Sequence, residues 1–272
     1  MPTLSISHPD AMKPMPRKIP GARKHLYIPD TQAKPGAPAD HMKWIGNYIV
    51  EKKPEVIVHL GDHWDMPSLS QYDYGRKCYE GRRYTKDIDA GNNSLEKLMA
   101  PIDAYNRRAE IKYEPRLVIL RGNHEHRIAR AIESDAKLDG LMGYHHFNDK
   151  DLGWYVHDFL EPVEIDGVTF AHYFYQPNTG KPYAGTAHTK LKNIGMSFVQ
   201  GHIQGIDIAY RTLANGDQQI GLVAGSCYLH DEEYKGPQAN GHWRGVVMAH
   251  EVSNGSYNPM MVSLEYLRRR YA

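Results

Sequence analysis

Two sheets packed face to face, with helices outside, is the α/β arrangement that this sequence predicts, and three observations predict it. Five short apolar runs, at residues 25–29, 56–61, 116–121, 168–173 and 196–201, each end in polar residues. Helix-compatible segments at 39–53 and 87–108 separate the first three, and that β-α-β-α-β order predicts parallel strands joined by right-handed crossovers. Beyond about residue 150 the texture changes to short strands with turn signals such as EIDGVTF and TLANGDQQIG. The second half is therefore expected to be mainly antiparallel, with hairpins at Asp166-Gly167 and Asn215-Gly216.

The first 24 residues hold five prolines and several basic residues but no apolar stretch of the signal-peptide kind, so they are expected to form a flexible arm before a single domain at 25–272. The first strand leaves through PDTQAKPG, which presents Asp30 and Gln32 directly before Gly and Pro loop chemistry. The second ends in GDHWD, with Asp62 and Asp65, and the third in RGNHE, with Asn123 and His124; a third helix is expected at 125–139. The fourth carries His172 in FAHYF, and the fifth carries His202 and Gln204 in GHIQG. In an α/β sheet, groups beyond the carboxyl ends of the strands meet although they are distant in sequence. An Asp after one strand is ordinarily a turn or cap residue; metal-ligand types after each of five apolar runs form a collective signal.

Composition narrows the function. Lys and Arg total 33 against 32 acidic residues, so the chain has no global positive field and nucleic acid would have to meet a local patch. The segment 72–86, YDYGRKCYEGRRYTK, is such a patch: tyrosines alternate with arginines and lysines, and its glycines predict an exposed loop. Aromatics for stacking and cations for phosphate suit single-stranded nucleic acid, with Arg82, Arg83 and Tyr84 as candidate contacts. The plain alternative is a solvated loop whose tyrosines pack on the body. Cys78 and Cys227, far apart in sequence, suggest free thiols and a reducing, cytoplasmic setting. No apolar run approaches the ~20 residues that span a bilayer, so no membrane partner is expected. No Walker-type loop, Ser-His-Asp order or Gly-rich dinucleotide turn supports a rival chemistry. Of 16 histidines, His145, His146, His188, His242 and His250 lack a partner at metal spacing and are read as non-ligands.

The ordered blocks resemble the calcineurin-like metallophosphoesterase superfamily, whose signature runs Asp-x-His, Gly-Asp-x-x-Asp, Gly-Asn-His-Glu/Asp, a lone His and Gly-His-x-His. The match spans about residues 25–204: GDHWD and RGNHE agree in full, whereas Gln32 and Gln204 stand where the pattern has histidines. The surrounding wording is similar to members encoded by tailed bacteriophages and prophages, which would place the protein in a host cytoplasm. The resemblance implies a four-layer α-β-β-α sandwich of two mixed sheets flanked by helices, a site for two divalent metal ions, and hydrolysis of phosphomonoesters or phosphodiesters. It implies that Asp62 bridges the metals, that Asn123, His172 and His202 complete one site, and that Asp30 holds the other with Gln32 and Gln204. The second site is then rich in oxygen, which favours Mn2+ over Mg2+, Ni2+, Zn2+ or Fe and predicts weaker binding, with an empty site as the alternative.

His124 is the candidate general acid and Asp65 its hydrogen-bond brace. Arg121 and Arg127 flank the GNHE turn and are candidate phosphate clamps, unless one of them pairs with an acidic neighbour such as Glu125. Tyr228 and His230, in GSCYLHDEEY, are candidate substrate contacts. The leading expectation is a phosphodiesterase or nuclease acting on DNA, RNA or a nucleotide. A phosphomonoesterase, including a protein phosphatase, is the second, although GDHWDMPS lacks the Arg-Gly of phosphoprotein phosphatases. A non-catalytic binding protein on a site decayed at one metal is the third.

Overall fold

The computed structural model describes residues 21–232 and 236–272. Of the expected N-terminal arm, residues 1–20 lie outside the described residues, and Arg23 and Lys24 already belong to the first strand. The elements run β1 (Arg23–Ile28), α1 (Asp40–Lys52), β2 (Val56–His59), α2 (Tyr84–Arg108), β3 (Arg116–Leu120), α3 (Arg127–Ser134), β4 (Tyr155–His157), β5 (Val163–Ile165), β6 (Val168–Ala171) and α4 (Ala187–Ile194). They continue with β7 (Phe198–Gln200), β8 (Ile206–Thr212), β9 (Gln218–Ala224), α5 (Gly236–Asn240), β10 (Gly245–Ser253), β11 (Ser256–Ser263) and α6 (Leu264–Tyr271). The helix expected at 125–139 is shorter, because its last residues form a separate 3-10 turn at Ala136–Leu138.

One sheet has the order β11-β10-β1-β2-β3-β4 and the other β5-β6-β7-β9-β8. The predicted parallel pairing of β1, β2 and β3 is present. The second half is mainly antiparallel as expected, in β5-β6, β8-β9, β10-β11 and β1-β10, and the Asp166-Gly167 and Asn215-Gly216 turns form the first two of these hairpins; the exceptions are β6-β7 and β7-β9, which pair in parallel at the centre of the second sheet. The reason is α4, whose crossover lets β7 lie parallel to β6. At the first hairpin Asp166 and Gly167 both take positive φ, +54° and +81°, which suits the right-handed twist of the joined strands. The Asp166 carboxylate accepts hydrogen bonds from Arg23 and His25, tying this sheet to β1 of the other.

The layers follow from side-chain alternation. Leu26, Ile28, Ile57 and Ile119 point to one face, where they pack with α1, α2 and α6 through Met42, Ile45, Leu95, Leu98 and Leu267. Their neighbours Tyr27, Val56, Val58, Val118 and Leu120 point to the other face and meet Phe170, Val199, Ile220 and Leu222 of the second sheet. Leu191 of α4 covers the far side of that sheet with Phe198 and Val223. Strands buried on both faces read as the continuous apolar runs seen in the sequence. The result is the α-β-β-α sandwich. Among the described residues, no helix is long and apolar enough to cross a membrane.

The loop after β2 is pressed against α2. Trp64 is fully buried, stacks on Phe147 at 4.0 Å, and lies so close to Gly91 that a Cβ there would sit 1.9 Å from its Cδ1. The expected exposed loop at 72–86 ends earlier than predicted, since Tyr84 opens α2. We expect Gly91→Ala to lower stability by about 1–3 kcal/mol through overpacking, although helix propensity alone favours Ala by roughly 1 kcal/mol. An unchanged or raised urea midpoint would remove the Trp64 contact as the reason for glycine.

Candidate metal centre

The ends of β1, β2, β3, β6 and β7 converge at one rim of the sandwich, and all seven candidate ligands lie on the segments leaving them. Three of these residues take left-handed backbone conformations rare for non-glycine residues: Gln32 (φ 41°), Asp62 (φ 51°) and His202 (φ 64°). Each is held by a hydrogen bond from its own amide. Gln32 donates to the Asp62 carbonyl at 2.9 Å, Asp62 to Glu125 Oε2 at 3.1 Å, and His202 to Asp30 Oδ1 at 2.9 Å. Such strain persists only where surroundings over-determine the conformation.

Glu125 is the residue that sequence reasoning undervalued. Fully buried, it accepts four backbone N–H groups: Oε1 from His63 (2.6 Å) and Trp64 (2.9 Å), Oε2 from Asp62 (3.1 Å) and Gly122 (2.7 Å). The loops after β2 and β3 are thereby fastened to one carboxylate. Its sequence signal was a Glu three residues past a strand-ending Arg-Gly, which reads equally well as a partner for arginine. Below the same loop, the Thr31 hydroxyl lies 3.1 Å from His59 Nε2 and 2.7 Å from His63 Nδ1, and His63 Nε2 donates to the Gly91 carbonyl.

The motif glycines have a direct cause. A Cβ at Gly122 would lie 2.1 Å from Asp62 Oδ1, and one at Gly201 would lie 2.4 Å from Asp30 Oδ1, so the backbone must come this close for the carboxylates to sit where they do.

Ligand atoms of Asp62, His172 and His202 lie within 4.8 Å of one another. His172 Nδ1 donates to the Leu60 carbonyl at 2.9 Å, which turns Nε2 toward Asp62 Oδ1 (3.4 Å) and Asn123 Oδ1 (2.9 Å). Burial opposes a charge on His172, but Asp62 and Asp30 outweigh it and raise the group to about 9. Burial and the neighbouring Asp62 raise Asp30 above the usual carboxylate range, while His124 and His172 overcome burial to hold Asp62 well below it. Asp30 Oδ2 and Gln32 Oε1 are buried without a hydrogen-bond partner. Unpaired buried acceptors beside two buried carboxylates are a donor set for cations, so the residues present fit divalent metal. Asp30, Gln32, Asp62, Asn123, His172 and His202 are the side chains that would hold it. Gln204 Oε1 accepts from the Tyr228 hydroxyl at 2.7 Å, leaving the oxygen's second lone pair for any other role.

His124 stands at the open side, about 16% exposed, with Nδ1 2.6 Å from Asp65 Oδ1 and Nε2 3.6 Å from Asp62 Oδ2. Burial lowers its pKa, but Asp62 and Asp65 more than offset this and the net shift is upward. Arg127 donates to the Asp65 carbonyl at 2.7 Å and lies 3.1 Å from His124 Nε2. Lys34, which the sequence did not single out, pairs with Glu232 at 2.8 Å and approaches Asp65 at 3.6 Å.

Four candidate contacts are corrected. Arg121 is buried, ion-paired with Asp149 at 2.5 Å and packed by Phe147, Tyr144 and Trp64, so it faces the interior and clamps nothing in the cleft. Arg82 is spent on the Pro67 carbonyl and Asp73, and the Tyr84 hydroxyl bonds with His146 and Gly143. Tyr228 is fully buried beneath Arg244 and positions Gln204. Arg83 remains exposed and contacts the neighbouring Arg82 carbonyl. His230 stacks on Tyr228 at 4.6 Å, pairs with Glu232 at 2.8 Å and lines a cavity beside Gln32. Beyond Arg127 lies a second cavity of about 320 Å³, lined by Tyr74, Tyr79, Arg127, Arg130 and Ser134 among others.

Glu125→Gln keeps the size of the side chain but replaces an acceptor oxygen by a donor facing backbone N–H groups. We expect a loss of about 3 kcal/mol, measured by urea denaturation. A change of about 0.5 kcal/mol or less, ordinary for a surface substitution, would refute the role assigned to it.

Comparison with known proteins adds the following. The family model described as calcineurin-like phosphoesterase matches residues 24–255. No curated protein matches significantly. Among solved structures, one resembles the chain at 12% identity, covering 89% of this chain and all of the other, with a TM-score of 0.41. Another, Yfce, a phosphoesterase from E. coli, does so at 11% identity over 88% of this chain and all of its own, with a TM-score of 0.34.

Proposed function

The chain belongs to the calcineurin-like phosphoesterase family, which implies metal-dependent hydrolysis of phosphoesters, and on that premise we propose that it is a phosphodiesterase acting on nucleic acid or nucleotides. The observation that carries this reading is the cavity beyond Arg127. It extends from the residue that touches His124 to Tyr74 and Tyr79, with Arg130 alongside, so a chain leaving the centre meets cations and then aromatic rings. Base stacking on such rings is worth about 1–3 kcal/mol per base and tolerates any sequence. The arginines and tyrosines that serve are therefore others than Arg82 and Tyr84. A monoester has no second arm to place there.

Divalent ions held at the centre supply positive charge to the phosphoryl oxygens and make water a better nucleophile at neutral pH. Water forms a new P–O bond as the bond to the leaving oxygen breaks, and the products are a phosphomonoester and an alcohol. Asp65 holds His124 by Nδ1 and so leaves Nε2 facing Arg127 at 3.1 Å and Asp62 at 3.6 Å, and from there its proton passes to the leaving oxygen as Arg127 turns to the phosphate. The Asp65 carboxylate at 2.6 Å favours the imidazolium that carries this proton. Arg127, fixed through the Asp65 carbonyl, offers its remaining N–H groups to a non-bridging oxygen.

The oxygen-rich shell of Asp30, Asp62, Gln32 and Gln204 favours Mn2+ over softer-ligand ions such as Zn2+. With metal-stripped protein resupplied separately with Mn2+, Mg2+, Ni2+ and Zn2+, we expect bis(4-nitrophenyl) phosphate to be turned over faster than 4-nitrophenyl phosphate, and best with Mn2+. Asp62→Asn should abolish turnover with every ion, since it removes charge shared by the whole cluster; retained turnover, or preference for the monoester, would overturn the reading. Gln32→His combined with Gln204→His should move the preference toward zinc or iron in a competition titration. An unchanged preference would mean that the two amides do not set ion choice.

A further inference from the structure

Apart from the Arg127 cavity, a pocket of about 200 Å³ lies between the β1-α1 loop and α2. A cavity of ~150 Å³ accepts a benzene ring, so this one has room for a single heterocycle. Its walls are small and apolar, with Pro35, Ala37 and Ala39 from the loop and Ala90 from α2. Among its polar groups Ser94 Oγ, in a residue about 1% exposed, has no hydrogen-bond partner. Leaving such a group unpaired costs roughly 1–3 kcal/mol, which a ligand that pairs it recovers. Asn93 and Lys97 lie on the same face of α2 as Ala90 and Ser94, at helical spacing, and also line the pocket.

The charge at the mouth is already balanced. Lys34 is paired with Glu232 and Asp65, and Lys97 lies 3.8 Å from Asp40. The pocket therefore presents the Asn93 amide, the Ser94 hydroxyl and the imidazole of His41, which burial lowers to about 3 and so keeps neutral. Neutral donors and acceptors among small apolar walls match the edge of a base better than they match a free anion, and an Asn amide pairs bidentately with adenine. The pocket adjoins the centre through Gln32, which lines it. The Gln32 amide is bonded to the Asp62 carbonyl, and His230, on its wall, stacks on the tyrosine that holds Gln204.

We propose that this pocket receives the nucleobase of the nucleotide adjoining the scissile phosphate, contacted by Asn93 and Ser94. The inference rests on the phosphodiesterase reading and gives its substrate a nucleoside on the Gln32 side, with the rest of the chain leaving past Arg127.

The test is calorimetric binding of AMP, GMP, CMP, UMP, ribose 5-phosphate and inorganic phosphate to the metal-free full chain. It uses the wild type, Ser94→Ala and Ala90→Leu; the first variant removes an unpaired hydroxyl and the second fills the slot from a half-buried helix position. At least one nucleotide should bind about tenfold more tightly than ribose 5-phosphate, the equivalent of one ~1.4 kcal/mol interaction, and both variants should erase that advantage. Both variants should keep the wild-type circular-dichroism spectrum and a cooperative urea transition, which certifies their folding. Equal binding of ribose 5-phosphate and all four nucleotides would overturn the proposal, as would a nucleotide preference indifferent to both variants. Failure of the wild type to hydrolyse the aryl diester would fall on the phosphodiesterase reading alone, because the binding measurement needs no turnover.

Discussion

One buried carboxylate holds this site together. Glu125 takes four amide donors from two loops that leave adjacent strands, and both loops carry candidate ligands. Asp62 keeps a positive φ because its own N–H is fixed there, and Asn123 and His124 follow Gly122, which is fixed to the same group. Gly122 in turn must be glycine, because Asp62 Oδ1 occupies the space of its Cβ. The strain of the left-handed Asp62 is thus offset by charge-assisted hydrogen bonds, about twice as strong as neutral ones.

Around that fixed point the sandwich supplies rigidity and the loops supply chemistry. β1, β2 and β3 are buried on both faces, so their ends cannot shift without disturbing two apolar cores. The same scaffold sets Trp64 against Gly91 and Phe147, which carries the fit from the β2 loop into α2 and so to the wall of the Gln32 pocket. The centre, the pocket and the groove beyond Arg127 share supports, and a substrate spanning all three would sense one rigid surface.

The electrostatics point the same way. Asp30 and Asp62 are buried together, and the protein's own answers to their charge are His172 and His124, both drawn upward in pKa by them. Lys34 and Arg127 neutralise Asp65 from two directions without reaching Asp62 or Asp30. A site that gathers carboxylates while leaving Asp30 Oδ2 and Gln32 Oε1 unpaired is built for cations that arrive from outside.

What the sequence determined by itself was whatever is written locally. The apolar runs and the helix spacing gave the layers, and the polar residue just past each run gave Asp30, Asp62, Asn123, His172 and His202 as neighbours, because strand ends in such a sheet meet at one rim. The Asp-Gly and Asn-Gly turns gave their hairpins for the same local reason. Tertiary structure decided everything that depends on a distant partner. Arg121 sits one residue before the GNHE turn, yet Asp149 and three rings draw it inward. Tyr228 looked like a cleft residue and became the support of Gln204, 24 residues before it. Parallel pairing in the second sheet depended on a crossover whose packing no turn signal announces. The Gln32 pocket exists because α2 and the β1 loop, far apart in the chain, leave a gap in which the Ser94 hydroxyl has no mate. Propensity and periodicity act over a few residues, whereas the burial and pairing of a charged or polar side chain are set by whatever the fold brings to it.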